Sequence, residues 1–104
     1  MATINKNLSD IGDLPKLNPN WSIAIVSSEW NTEITSGLTR GAKELLSHIG
    51  LKSDQVHHLS VPGSYELPLG AQWAIERYEP DAVICLGSVI RGETAHFDYV
   101  CQAI

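Results

Sequence analysis

The chain has 104 residues, 43% of them hydrophobic, so it is long enough for one small domain with a core and too apolar to stay disordered. Its net charge of -5 and its lack of any basic run or Arg/aromatic strip argue against nucleic acid as a partner. It carries two cysteines, Cys85 and Cys101, in no disulfide or metal-binding spacing, and a polar first segment, MATINKNLSD. With no apolar stretch near the roughly 20 residues of a membrane span, a reducing, cytoplasmic setting is expected.

Residues 1–20 are polar and broken by Gly12, Pro15 and Pro19, which reads as an arm ahead of a domain at 21–104. Such an arm has little to bury by itself, so a neighbouring subunit is a natural place for it to lie. Trp21–Ser27 (WSIAIVS) is short, apolar and β-branched, the pattern of a buried strand. Asn31 or Thr32 then caps a helix whose inward face is expected at Ile34, Leu38, Ala42, Leu45 and Ile49, ending at Gly50. Gly37 and Gly41 sit inside that helix at a cost of about 1 kcal/mol each, which close backbone packing would explain.

Gln55–Val61 reads as a second strand, with His57 and His58 on opposite faces and therefore no ready metal pair. Ser64 caps a second helix with Pro68 in its first turn and Leu67, Ala71, Ala74 and Tyr78 facing inward. Asp81–Gly87 (DAVICLG) is apolar on both faces, as in a central parallel strand covered by helices on both sides, and Cys85 within it is expected as a buried free thiol. Phe97–Ile104 opens a further apolar-periodic segment. The order β-α-β-α-β-α implies right-handed crossovers and a parallel sheet. The third strand is left with an open edge unless another strand or a partner covers it.

In such a sheet, ligands bind beyond the carboxyl ends of the strands. Trp30 and Asn31 follow the first strand, Gly63-Ser64-Tyr65-Glu66 the second, and Ser88-Val89-Ile90-Arg91-Gly92-Glu93-Thr94-Ala95-His96 the third. Trp30 and Tyr65 either stack on a flat ring or pack locally. Glu66 either accepts hydrogen bonds from a ligand or stabilises the first turn of its helix. Gly92-Glu93-Thr94 is either an anion cradle or an ordinary loop and cap, and neither a Walker loop nor a dinucleotide fingerprint is present. His96 is the best acid–base candidate, against the plainer role of a surface or capping residue; Asp98 either orients it or sits in the first helical turn.

Three stretches also carry a family resemblance: Ile23–Asn31 (IAIVSSEWN), Val61–Pro68 (VPGSYELP) and Leu86–Val100 (LGSVIRGETAHFDYV). They resemble the corresponding motifs of the lumazine synthases, and the likeness runs from about Trp21 to Ile104. It implies a flavodoxin-like three-layer αβα fold with a parallel sheet, truncated here after the third βα unit. It implies condensation of 5-amino-6-ribitylamino-uracil with 3,4-dihydroxy-2-butanone 4-phosphate to 6,7-dimethyl-8-ribityllumazine, without metal or redox cofactor. Carried over by motif, Trp30 stacks on the pyrimidine. Ser64, Tyr65 and Glu66 line the ribityl and pyrimidine side, and Ser88, Val89 and Ile90 meet the pyrimidine edge. Glu93 and Thr94 hold the phosphate-bearing substrate, and His96 transfers protons.

The family resemblance further implies homopentamers or multiples of them, with sites between subunits to which the neighbour adds an aromatic residue and a basic phosphate ligand. Those two come from beyond the third motif and have no counterpart before Ile104. If these 104 residues are the whole molecule, poor stability and little activity are expected; a separate C-terminal polypeptide would rebuild the site at its interface. The competing readings are an assembly or scaffold module that keeps the fold without catalysis, and a flavodoxin-like binding module for a flavin or phosphorylated metabolite.

Overall fold

A computed structural model describes residues 10–14 and 16–104; residues 1–9 and Pro15 of the expected arm lie outside it. The contiguous apolar run Ile23–Val26 of β1 (Ile23–Ser28), buried on both faces, builds the centre of a three-stranded parallel sheet. β1 pairs on one side with β2 (Val56–Val61) and on the other with β3 (Ala82–Leu86), giving the order β2-β1-β3. The register sets Ile25 between His58 and Ile84, and Val26 between Leu59 and Cys85. Since side chains alternate across a strand, Ala24 and Val26 enter one layer and Ile25 the other.

The first layer joins Ala24, Val26 and Val61 to Leu67 and Ala74 of α2 (Leu67–Tyr78). The second joins Ile25 to Leu46 of α1 (Thr32–His48) and to Leu51. The last helix, α3 (His96–Ala103), rests near the turn 64–66. The parallel α/β architecture expected from the sequence is therefore present. α1 ends as its composition suggests: Gly50 takes φ 108°, and Leu51 N–H returns to the Leu46 carbonyl at 3.0 Å.

Several expectations need correction. The central strand is β1, not β3: β3 pairs only with β1, and its far edge has no strand beside it among the described residues. For the same reason Cys85 is exposed rather than buried, although partial burial of its thiol still pushes the pKa up. The inward stripe of α1 is Thr35, Thr39, Ala42 and Leu46: Ala42 and Ile49 of the expected face do pack against the core, but in the first two turns Thr35 and Thr39 replace Ile34 and Leu38, which are 47% and 43% exposed. The two threonines tolerate burial because each hydroxyl donates to a carbonyl one turn back: Thr39 Oγ1 to the Thr35 carbonyl at 2.8 Å, and Thr35 Oγ1 to that of Asn31 at 3.4 Å.

The glycines follow from this change of face. Nothing lies within 4 Å of a Cβ placed on Gly37 or Gly41, so the close packing expected there is absent. It occurs instead at Gly70 in α2, where a Cβ would stand 2.7 Å from Cγ1 of both Val26 and Val61. Alanine is the better helix former by about 1 kcal/mol. Gly41→Ala should therefore stabilise the chain by about that amount, whereas Gly70→Ala should destabilise it by about 1–3 kcal/mol through overpacking. Denaturant midpoints of the two variants should move in opposite directions.

Candidate active site

The carboxyl ends of all three strands open into one cleft of about 500 Å³. The turn after β1 is tied to the turn after β2 by Glu29 N–H donating to the Val61 carbonyl (2.8 Å) and Trp30 N–H to that of Pro62 (3.0 Å). Asn31 then adopts the left-handed conformation, φ 61°, which asparagine tolerates better than most residues. Its carbonyl accepts the first N–H groups of α1, from Ile34 (2.9 Å) and Thr35 (3.1 Å). The chain reverses sharply here, and Trp30 is left 73% exposed on the cleft wall.

Ser64 is buried where the second strand's loop meets the third's, and its hydroxyl donates to the Ser88 carbonyl at 3.0 Å. Gly87 permits that approach: a Cβ there would lie 2.6 Å from Ser64 Oγ and 2.8 Å from Leu67 Cδ1. Two further hydroxyls, of Ser28 and Ser88, are buried with no partner among the described residues. An unpaired buried hydroxyl costs about 1–3 kcal/mol, so Ser88, which lines the cleft, leaves it unspent hydrogen-bonding capacity. Glu66 accepts the Gly63 N–H at 2.9 Å, which fixes its carboxylate over the start of α2. Among the described residues this is the only hydrogen bond its carboxylate makes, so its other oxygen is left without a protein partner on a residue that lines the cleft.

Eight of the ten residues singled out from the sequence line this cleft: Trp30, Ser64, Tyr65, Glu66, Ser88, Val89, Ile90 and His96. Glu93 and Thr94 do not; both are exposed on the loop leading to α3, where Thr94 Oγ1 accepts the His96 N–H at 3.4 Å. Asp98 pairs with Arg91 (3.4 Å), whose guanidinium also lies over the Phe97 ring, so it takes no part in orienting His96. Asn31 and Gly63, placed at the strand ends by the sequence but given no role, also line the cleft, as do Pro62 and Val100, which the sequence reading did not put there. Asn31 adjoins Trp30 at a strand end, and Val100 lies one helical turn beyond His96, so adjacency and i, i+4 spacing were the signals available.

A parallel sheet with helices on both faces and a cleft at its carboxyl ends defines an α/β protein of the doubly wound class. Residues 20–104 match the sequence model of the 6,7-dimethyl-8-ribityllumazine synthase family, and the chain belongs to that family. It is 47% identical to the 6,7-dimethyl-8-ribityllumazine synthase of Cytophaga hutchinsonii, with all of this chain aligned to 65% of that protein. It is 46% identical to the enzyme of the same name from Flavobacterium psychrophilum, where the full chain aligns to 56% of the relative. The chain thus spans between about half and two thirds of the length of these relatives. Among the described residues, no helix is long and apolar enough to cross a membrane.

Proposed function

We propose that this chain supplies the heterocycle-binding and proton-transfer half of a site that condenses 5-amino-6-ribitylamino-uracil with 3,4-dihydroxy-2-butanone 4-phosphate. The product is 6,7-dimethyl-8-ribityllumazine, with water and phosphate released. The observation that carries this reading is the convergence of Trp30, Ser64, Glu66, Ser88 and His96 from three strand ends on one cleft. A planar, hydroxyl-bearing ligand needs such a mixture of an aromatic face, hydroxyls, a carboxylate and free backbone groups.

In this reading Trp30 stacks on the pyrimidine while Tyr65 and Ser64 flank it. The backbone of Ser88, Val89 and Ile90 reads the ring edge, and Glu66 accepts from ribityl hydroxyls. The amine attacks the ketone to give an imine, phosphate leaves by elimination, and the second amine closes the ring. His96 carries protons in imine formation and phosphate loss, and holding both substrates together supplies much of the remaining rate. Glu93 and Thr94 are assigned to the phosphate-bearing substrate, from the loop beside the cleft. Assembly into a homo-oligomer fits two exposed apolar pairs one helical turn apart, Ile34 and Leu38 on α1 and Leu69 and Trp73 on α2, one pair on each side of the sheet.

The test is titration of the chain with 5-amino-6-ribitylamino-uracil under tryptophan fluorescence, with lumazine formation followed on the same sample. Saturable quenching is expected, and Trp30→Ala should remove it and weaken binding by about 1–3 kcal/mol, as for bases stacked on aromatic side chains. Trp73→Phe should leave binding unchanged. Quenching that survives Trp30→Ala, or no binding at all, would overturn the assignment of this cleft to the heterocycle.

A further inference from the structure

A second groove, of about 460 Å³, opens between α1 and β2 and shares no lining residue with the cleft just described. Its floor is unusual. The layer packed by Ile25 and Leu46 is apolar, but one step further along the same faces stand Ser27 on β1 and Thr39 and Thr35 on α1, all buried. The interior therefore changes from hydrocarbon to hydroxyl under this groove. Over that floor His58 Nε2 lies 2.7 Å from Ser27 Oγ, and His58 Nδ1 lies 3.5 Å from Lys43 Nζ. Arg40 lines the same wall.

We propose that this groove binds a small oxyanion of the phosphate or sulfate type, held between Lys43 and His58 with Arg40 beside them. Lysine ammonium only donates, so the neutral imidazole must turn its lone pair at Nδ1 towards Lys43 and give its Nε2 proton to Ser27. Once the imidazole gains a second proton, Nδ1–H and the ammonium both donate into the same space. An oxyanion oxygen is an acceptor that both can share, and the charge-assisted bonds so formed are the strong ones.

The acidic groups around this pair are Glu29, at the end of β1, and Glu44 on α1. Neither forms an ion pair with Lys43, Arg40 or His58; Arg91–Asp98 is the single ion pair among the described residues. Glu29 instead accepts from Ser60 Oγ at 3.3 Å. The two carboxylates offset the formal charges of Arg40 and Lys43 without contacting the lysine–histidine pair. The charge that admits the anion is therefore the second proton of His58. Burial first, and Lys43 second, hold His58 below its ordinary pKa in the free chain, and a bound oxyanion acts in the opposite direction. Binding should accordingly take up a proton and tighten as the pH falls through the His58 transition.

The experiment is an NMR titration of the histidine Cε1–H signals of the full chain, in sodium sulfate and in sodium chloride at equal ionic strength. His58 is assigned by His58→Gln, and the chloride arm accounts for plain screening of Lys43. The expected result is a His58 midpoint at least ~0.5 unit higher in sulfate than in chloride, an effect of the size a new close charge produces. His57, which stacks on Tyr78 across the sheet at 4.1 Å, should not respond. Lys43→Met, an exposed-site change, should raise the midpoint in both salts and abolish the difference between them. Equal midpoints in the two salts for the unsubstituted chain, or a sulfate-specific shift that survives Lys43→Met, would overturn the proposal. Neither result bears on the heterocycle cleft.

Discussion

Truncating Ile25 to alanine is expected to cost about 2–5 kcal/mol of unfolding free energy, read as a lowered urea midpoint. Ile25 is 0% exposed and sits in the middle of the central strand, between His58 and Ile84 in register and against Leu46 and Leu51. Strands hold it on both sides and α1 holds it from above, so the space left by the lost atoms has little freedom to collapse. Set against the roughly 5–15 kcal/mol that keeps a small domain folded, the loss is large. Ile84→Ala provides the internal control. It removes the same atoms from the same sheet face, but on edge strand β3, where the side chain is only half-buried. Its cost should be well below that of Ile25→Ala, and a reversal of that order would contradict β1 as the central strand. The prediction also bears on function, because β1 leads directly into Trp30 and Asn31.

The order of elements was legible because apolar period and turn residues agree at each step. β-branched runs end at Ser28, Val61 and Gly87, and each is followed by a polar turn and a helical pattern. The gathering of the site was legible for a topological reason: in a parallel sheet all strand ends of one polarity share one side, so residues distant in sequence meet there. The face of α1 was legible only in part. The expected stripe Ile34, Leu38, Ala42, Leu45 and Ile49 is right at Ala42 and Ile49, but hydrophobicity alone selects Ile34 and Leu38 over Thr35 and Thr39 in the first two turns. Threonine is buried here because its hydroxyl is satisfied within the helix, a saving that no composition scale records. The rank of β3 misled for a related reason. Val83, Ile84, Cys85 and Leu86 carry the composition of a covered strand, yet the described chain places nothing along their outer edge. The Ser27–His58–Lys43 contact joins a strand, its neighbour and a helix, and no local pattern announces it.

His96→Ala is expected to lower lumazine turnover by about 10²-fold while leaving heterocycle affinity within about threefold, under conditions where the unsubstituted chain turns over, alone or with a C-terminal polypeptide of the family. General acid–base groups contribute about 10²–10⁴-fold, and the lower end applies where attack by a substrate amine needs chiefly that two molecules be held in place. His96 opens α3 and lines the cleft, and its side chain makes no hydrogen bond among the described residues, so its removal should not disturb the floor built by Ser64 and Ser88. Glu66→Gln should show the reverse pattern. Its carboxylate is already fixed by Gly63 N–H, and losing the charge weakens what it can accept from ribityl hydroxyls, so affinity falls more than turnover of the bound complex. Fluorescence titration gives the affinity and single-turnover kinetics the chemical step, on the same two variants. If His96→Ala lost affinity in proportion to rate, the imidazole would be a binding group, and proton transfer in this cleft would have to be assigned elsewhere. If neither quantity moved, the reaction would depend on positioning alone, and the case for His96 as an acid–base residue would fall while that for the cleft stood.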